Sequence, residues 1–150
     1  MPRAPVGSTL YAMKPEERSA LAQAFIEHLS EPVVLGAENV FSKCDNSNTE
    51  WAIDKVFDIA YKSPKELWDL ILEILHREPP DEVLAALAAG PLEDYLAKCG
   101  ERVIERVERQ AAKDPKFKSL LGGVWQNAMT AEVWGRVQAC WDRSRWDDGV

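Results

Sequence analysis

The sequence predicts an all-α protein, a compact single-domain bundle of about eight short helices. Apolar residues recur at three- and four-residue spacing along most of the chain, which is typical of amphipathic helices. Almost no stretch alternates apolar and polar residues as a half-buried strand would. Proline, glycine and aspartate separate the periodic segments, and 150 residues is the size of one ordinary domain. We expect that domain to span residues 14–143.

The N-terminal arm, residues 1–13, has no periodicity and is expected to be loose. Pro15 then stands where a first helical turn tolerates proline, and the two glutamates after it favour the positive end of the helix dipole. This helix is expected to reach residue 30, before Pro32. Segment 33–41 is expected to form a packed turn or a short helix, with a short strand as the alternative.

Residues 42–50 are rich in Ser, Asn and Asp and predict a loop. Asn48 or Thr49 can cap the next helix, which is expected to run to residue 61. Four apolar residues are expected to share its buried face: Ile53, Val56, Phe57 and Ala60. Trp51 lies opposite that face.

Ser63, Pro64 and Glu66 predict the start of a central helix, with a Ser cap and Pro at the first position. Apolar residues cover more than half of its circumference, and the Pro79-Pro80 pair ends it.

The remaining helices are short. We expect them over residues 83–89 and 91–99, closed by Gly90 and Gly100, and then over 101–112, around Phe117 and after the capping residue Thr130. The rhythm over residues 64–113 resembles HEAT-like helical hairpins. Residues 144–150 are expected to form a C-terminal tail.

The chain is acidic, with a formal net charge of −7. Residues 51–100 carry most of the excess, with 5 Lys and Arg against 10 Asp and Glu. Because phosphates repel such a surface, direct nucleic-acid binding is disfavoured and a basic or mixed-charge protein partner fits better. Apolar runs stay shorter than the roughly 20 residues that span a bilayer. We therefore expect a soluble, cytoplasmic protein without membrane contact.

Metal and cofactor chemistry find little support in the sequence. The three cysteines (Cys44, Cys99 and Cys140) are far apart and form no CxxC pair. They are expected to be reduced thiols. We therefore expect no metal and no cofactor.

Catalytic motifs are equally scarce: the sequence has no nucleophile elbow, His-Glu-x-x-His motif or dinucleotide fingerprint. His28 shares the apolar face of Leu21 and Phe25, which favours a hydrogen-bonded histidine of the core or its edge over a catalytic base. We therefore name no catalytic residue.

Six tryptophans are the most distinctive feature of the composition. Trp134, Val137 and Trp141 form one stripe and are expected in the core. Trp68 belongs to the apolar surface of the central helix, but three tryptophans are less readily assigned to the core, and aromatic residues not needed inside often contact partners. The candidate partner-binding tryptophans are Trp51, Trp125 and Trp146.

Charged side chains supply the other candidate partner-binding residues. An arginine stripe predicts either a solvated helix face or a docking patch for an acidic surface; it consists of Arg102, Arg106 and Arg109. A set of acidic residues could cover a basic site on a partner or simply maintain solubility. The acidic candidates are Asp69, Glu73, Glu93 and Asp94.

Three segments are characteristic: AAGPLEDYLAKCGERVIERVE, DPKFKSLLGGVWQN and the Val133-Trp134 pair. Through them, residues 68–141 resemble a family of small uncharacterised bacterial domains, and the first 60 residues lie outside the resemblance. Because that family has no established activity, the resemblance implies no catalytic residue.

Three functions are consistent with these patterns. The first is a protein-binding domain, similar to immunity or anti-defence proteins, that neutralises a toxin or defence effector. The second is a small hydrolase or transferase that uses clustered carboxylates, and the third is a scaffold or homo-oligomer.

Overall fold

A computed structural model describes residues 13–30 and 47–147 of the chain. Within these ranges the elements are helices and none is a strand, which confirms the predicted all-α class. The chain divides into two compact units, one up to Ile74 and one from Leu75 onwards. Segment 33–41, most of the N-terminal arm and residues 42–46 lie outside the described residues. The limits of a single domain over 14–143 stay a prediction.

The first unit contains helices α1 (Pro15–Ser30) and α2 (Ser47–Lys62) and most of α3 (Pro64–His76). Helices α1 and α2 pack against each other. The predicted cap of α3 is present, since the Ser63 hydroxyl accepts a hydrogen bond from the Glu66 N–H at 3.4 Å. The largest buried side chains of this unit are Leu21, Phe25, Ile59, Leu67, Trp68, Leu70, Ile71 and Ile74.

The buried face of α2 differs from the predicted one. Phe57 is 58% exposed and Ile53 is only half-buried. The residues that are buried are Ala52, Val56, Ile59 and Ala60. Val56 and Ala60 are thus buried as predicted, whereas Ala52 and Ile59 are buried in place of Ile53 and Phe57.

The second unit begins with the end of α3 and continues through α4 (Asp81–Leu87), a π-helical turn (Ala88–Leu92) and the long helix α5 (Glu93–Lys113). Helix α6 (Pro115–Leu121) and helix α7 (Ala131–Cys140) pack against α5. A last short helix, α8 (Ser144–Asp147), lies where the sequence predicts a tail. Tyr95, Phe117, Leu87, Leu92, Leu96 and Leu120 are the largest fully buried side chains of this unit.

The predicted helix ends at Gly90 and Gly100 are wrong. Residues 81–113 form one continuous helical run, and Pro91 lies inside it. Proline removes a backbone donor and crowds the carbonyl four residues earlier in the helix, and the wider π turn accommodates both effects. At Gly100 an added Cβ would lie 3.0 Å from the side chain of Val133, so glycine here permits close contact between α5 and α7.

Helices α6 and α7 start where the sequence predicts. The side chain of Asp114 accepts hydrogen bonds from the backbone N–H groups of Lys116 and Phe117 at 3.1 and 3.3 Å. The hydroxyl of Thr130 accepts one from the Val133 N–H at 3.2 Å. Both residues are therefore N-caps. No helix in the described part of the chain is long and apolar enough to cross a membrane.

Candidate partner-binding site

The segment from Gly122 to Thr130 joins α6 to α7, and we call it the Trp125 loop. A glycine pair begins it and a chain of backbone hydrogen bonds shapes it, including Gly123 N–H to the Leu120 carbonyl at 2.9 Å. Val124 and Met129 are both buried, one on either side of Trp125. Because apolar side chains hold both ends of the loop in the core, the residues between them have a fixed position.

Glu93, the first residue of α5, fixes the middle of the Trp125 loop. Its side chain is buried, and its carboxylate accepts hydrogen bonds from the Trp125 N–H at 2.9 Å and the Asn127 amide at 3.3 Å. Asn127 has a φ of 46°, a left-handed conformation that asparagine tolerates better than most residues. A buried carboxylate with two loop donors therefore determines the loop conformation.

The Trp125 side chain itself is 67% exposed. Its backbone is hydrogen-bonded inside the protein while its indole ring faces solvent. An aromatic ring on a backbone that is already ordered loses little further freedom when it enters an interface. The prediction that Trp125 contacts a partner fits this geometry.

Trp146 lies in a different environment. Its indole N–H donates to the Ser119 carbonyl at 2.7 Å, and its ring packs over Gly123. The ring is half-buried, so Trp146 attaches the C-terminal helix to α6. Its predicted contact with a partner stays a prediction.

Trp134 and Trp141 are half-buried, whereas the sequence predicts core positions for both. Their rings meet edge to face with centroids 5.3 Å apart, and the Arg143 guanidinium lies 5.2 Å from the Trp141 centroid. These contacts form an aromatic and cationic cluster that extends from the middle of α7 past its C-terminal end. Val137, the third residue of the predicted stripe, is buried.

Two of the predicted acidic residues belong to the first unit. Asp69 pairs with Lys65 at 3.1 Å, and Glu73 lies 3.6 Å from Arg18. In the second unit Asp94 is half-buried and Glu93 is the buried loop acceptor described above. Asp69 and Glu73 lie one turn apart on α3, whereas Glu93 is buried against the Trp125 loop, and the contact of these acidic residues with a partner stays a prediction.

The predicted arginines lie along one side of α5, and all three are exposed. Arg106 donates to the Tyr95 hydroxyl at 3.3 Å and Arg102 contacts the Cys99 sulfur at 3.5 Å, whereas Arg109 extends from the next turn. Two of the three side chains thus contact residues of their own helix. Their role in docking stays a prediction.

Arg136 is a charged residue that no sequence pattern singles out. Its guanidinium forms a bidentate ion pair with Glu108 at 2.8 and 2.7 Å, joining α7 to α5. The hydrogen bonds from Arg136 lower the pKa of the Glu108 carboxyl against the opposing effect of burial. The two residues are 28 positions apart, so no local pattern could predict the pair.

Both histidines form hydrogen bonds. His28 Nδ1 lies 3.2 Å from the Thr49 hydroxyl, as expected for a histidine at the edge of the core. His76 Nε2 lies 2.7 Å from the carboxylate of Asp114, the residue that caps α6. The histidine and carboxylate thus meet at a helix cap.

A cleft of about 230 Å³ lies in the second unit. Leu75, Leu84, Leu120 and Trp146 provide apolar walls. Two ion pairs lie along it, Glu78 with Lys116 and Asp81 with Arg145. His76, Glu93 and Asp94 do not line it, and its own carboxylates, Glu78 and Asp81, are each paired with a basic side chain; the enzyme hypothesis stays a prediction.

Cys99 and Cys140 are free thiols, as predicted, and Cys44 lies outside the described residues. Burial and then the Glu108 carboxylate raise the pKa of the Cys140 thiol above its ordinary value. Both effects disfavour the thiolate, which is the reactive form.

Residues 41–145 match the model of a family of unknown function, DUF6869. The match covers the Trp125 loop, Glu93 and the whole of α2. It begins well before Trp68, so the expectation that the first 60 residues lie outside the family is wrong for residues 41–60. Among curated proteins and among solved structures, none matches the chain.

Proposed function

We propose that this chain, which belongs to the DUF6869 family, is a protein-binding domain that regulates or neutralises a partner by covering part of its surface. The observation that supports the proposal most is the exposed Trp125 ring on a loop held by the buried Glu93 carboxylate. Tryptophan is among the residues most enriched at the energetic centres of protein interfaces.

The energetics favour Trp125 as an anchor. Burying a whole tryptophan side chain removes about 200 Å² from water, and roughly 25 cal/mol is gained for each Å² of apolar surface. Ordering a mobile side chain at an interface costs about 0.5–1.5 kcal/mol, and an ordered loop adds little further cost for the backbone. Replacing such an anchor residue by alanine typically costs about 2 kcal/mol or more of binding free energy.

The charge of the chain supports a basic partner. A net charge of −7 attracts positively charged surfaces and accelerates association with them. The narrower hypothesis that this partner is a toxin or defence effector rests on the acidic charge, the lack of a recognised catalytic motif in the sequence and the small helical frame. Its test is whether the recovered partner is active alone and loses its activity when the chain is added.

The test is affinity capture from native cytosol with the immobilised chain, followed by titration of the recovered protein. We compare wild type with Trp125→Ala and with Ala128→Ser, which changes an exposed neighbour in the same loop. Wild type and Ala128→Ser are expected to retain one partner in stoichiometric amount. Trp125→Ala is expected to weaken the affinity about 30-fold, the equivalent of 2 kcal/mol.

The unfolding midpoint of each variant provides the folding control. Because the Trp125 ring is largely exposed, Trp125→Ala should unfold close to the wild-type midpoint. Capture of the same partner with undiminished affinity by Trp125→Ala would contradict the proposal. Failure to recover any stoichiometric partner would also count against it.

A further inference from the structure

Helix α2 carries three exposed aromatic side chains. Trp51 is 47% exposed, Phe57 58% and Tyr61 76%. At 3.6 residues per turn their positions fall within about 120° of the helix circumference. The opposite side of α2 is buried. The three rings therefore form one exposed face instead of isolated surface positions.

Carboxylates lie among these rings. Glu50 and Asp54 project from the same arc of α2 and both are exposed. Asp58, on the same side, pairs with Lys62 at 3.3 Å. Among the residues that the structure describes, Glu50 and Asp54 form no ion pair. We call this surface, consisting of Trp51, Phe57, Tyr61, Glu50 and Asp54, the α2 face.

We propose that the α2 face binds an arginine- or lysine-bearing peptide segment of a protein partner. Carboxylates and aromatic faces both attract these side chains: a guanidinium or ammonium pairs with the carboxylate and stacks over the ring. The aliphatic parts of the same side chains cover apolar surface. The α2 face supplies all three kinds of contact within about three helical turns.

Other occupants fit this surface less well. A purely apolar segment would remove the Glu50 and Asp54 carboxylates from water without a partner, which is costly. Phosphates of a nucleic acid would be repelled by the same charges. A second copy that paired α2 face to α2 face would place like charges opposite each other. The carboxylates of the α2 face therefore favour a cationic segment over these other occupants.

The α2 face belongs to the first unit of the chain and shares no residue with the Trp125 loop, which belongs to the second. Trp125→Ala should leave binding at the α2 face unchanged, so the failure of one proposal is distinguishable from the failure of the other.

The experiment is a nuclear magnetic resonance titration of the full chain with a hexa-arginine peptide, and with hexa-alanine as the uncharged reference. Hexa-arginine is expected to shift the Trp51 indole resonance and the α2 amide resonances, and hexa-alanine is not. The variant E50Q/D54N should weaken hexa-arginine binding at least tenfold.

The matched control is E101Q/E105Q, which removes the same charge from two exposed residues of α5. It should leave the affinity for hexa-arginine within twofold of wild type. Equal weakening by both variants would show non-specific attraction and overturn the proposal, as would shifts spread over the whole chain. A dimer detected by sedimentation that dissociates in W51A/Y61A would also overturn it, in favour of a second copy as the occupant.

Discussion

The indole ring of Trp146 occupies the space where a Cβ on Gly123 would stand. An ideal Cβ at that position would lie 2.6 Å from the ring, closer than real Cβ atoms approach. The glycine pair at the start of the Trp125 loop thus has a packing function. It lets the C-terminal helix lie against α6, where the Trp146 N–H finds the Ser119 carbonyl.

Gly123→Ala is expected to lower the free energy of unfolding by about 1–3 kcal/mol, because the ring must move to admit the methyl group. Urea denaturation measures the change. Gly135→Ala is the matched control, since an added Cβ in α7 meets nothing within 4 Å. Alanine in place of glycine inside a helix should raise the free energy of unfolding by up to about 1 kcal/mol. A loss of stability at Gly135, or none at Gly123, would contradict this account.

Glu93→Ala is expected to lower the free energy of unfolding by about 1–3 kcal/mol, because it leaves the Trp125 N–H without its buried acceptor. Hydrogen exchange at the Trp125 amide should accelerate more than exchange in the middle of α5. Glu101→Ala changes an exposed glutamate of the same helix and should alter neither quantity appreciably. Unchanged protection at Trp125 would show that Glu93 does not hold the loop.

The Asp114 cap of α6 predicts that the fold loses stability in acid. Burial alone would raise the pKa of the Asp114 carboxyl, but the hydrogen bonds from His76, Gln110 and the Phe117 N–H outweigh it and lower that pKa below its usual value of about 3.9. A lowered pKa in the folded state stabilises the fold above pH of about 4, and this stabilisation is lost as pH falls through the folded pKa.

The measurement is the urea midpoint of wild type and Asp114→Asn between pH 7 and 2. Wild type should be the more stable at pH 7, and the difference should shrink steadily below pH of about 4. A difference that stays constant down to pH 2 would show that the Asp114 charge contributes nothing.

Cys140 is expected to react slowly with thiol reagents. Because its pKa is raised, little thiolate is present at pH 8, and half-burial restricts access further. In a C44S/C99A variant, the rate of modification of Cys140 should be lower than that of glutathione and should still rise with pH above 9. A rate equal to that of glutathione at pH 8 would contradict the raised pKa.

Three helix starts could be predicted from local sequence chemistry. Pro15, the Ser63-Pro64 pair and Thr130 each supply local chemistry that favours the first turn of a helix, and each is found at a helix start. The rotation of α2 was harder to predict, because hydropathy favours burying Phe57 whereas the structure buries Ala52 and Ile59 instead.

The sequence indicated that Trp125 lies outside the core but not which residue holds its loop. Trp125 belongs to no stripe of apolar residues in the sequence, so its side chain is expected near the surface, and the structure shows it exposed. The acceptor that holds its loop is Glu93, 32 residues earlier in the chain, and a glutamate at the start of a helix predicts only a favourable charge there. Contacts over such distances depend on how helices pack, which local sequence does not determine.

The π turn over Ala88–Leu92 has more residues per turn than an α-helix, so it changes the direction in which every later side chain of α5 points around the helix axis. Between Val83 and Cys99, buried residues recur every fourth position, and in a regular α-helix such a stripe would drift by about 40° at each step. The wide turn corrects part of that drift. Removing one residue from it would rotate α5 by about 100° about its axis relative to α4, and with α5 the helices α6 and α7 that pack on it. The face that the end of the chain presents to α4 thus depends on the residue count of a single turn.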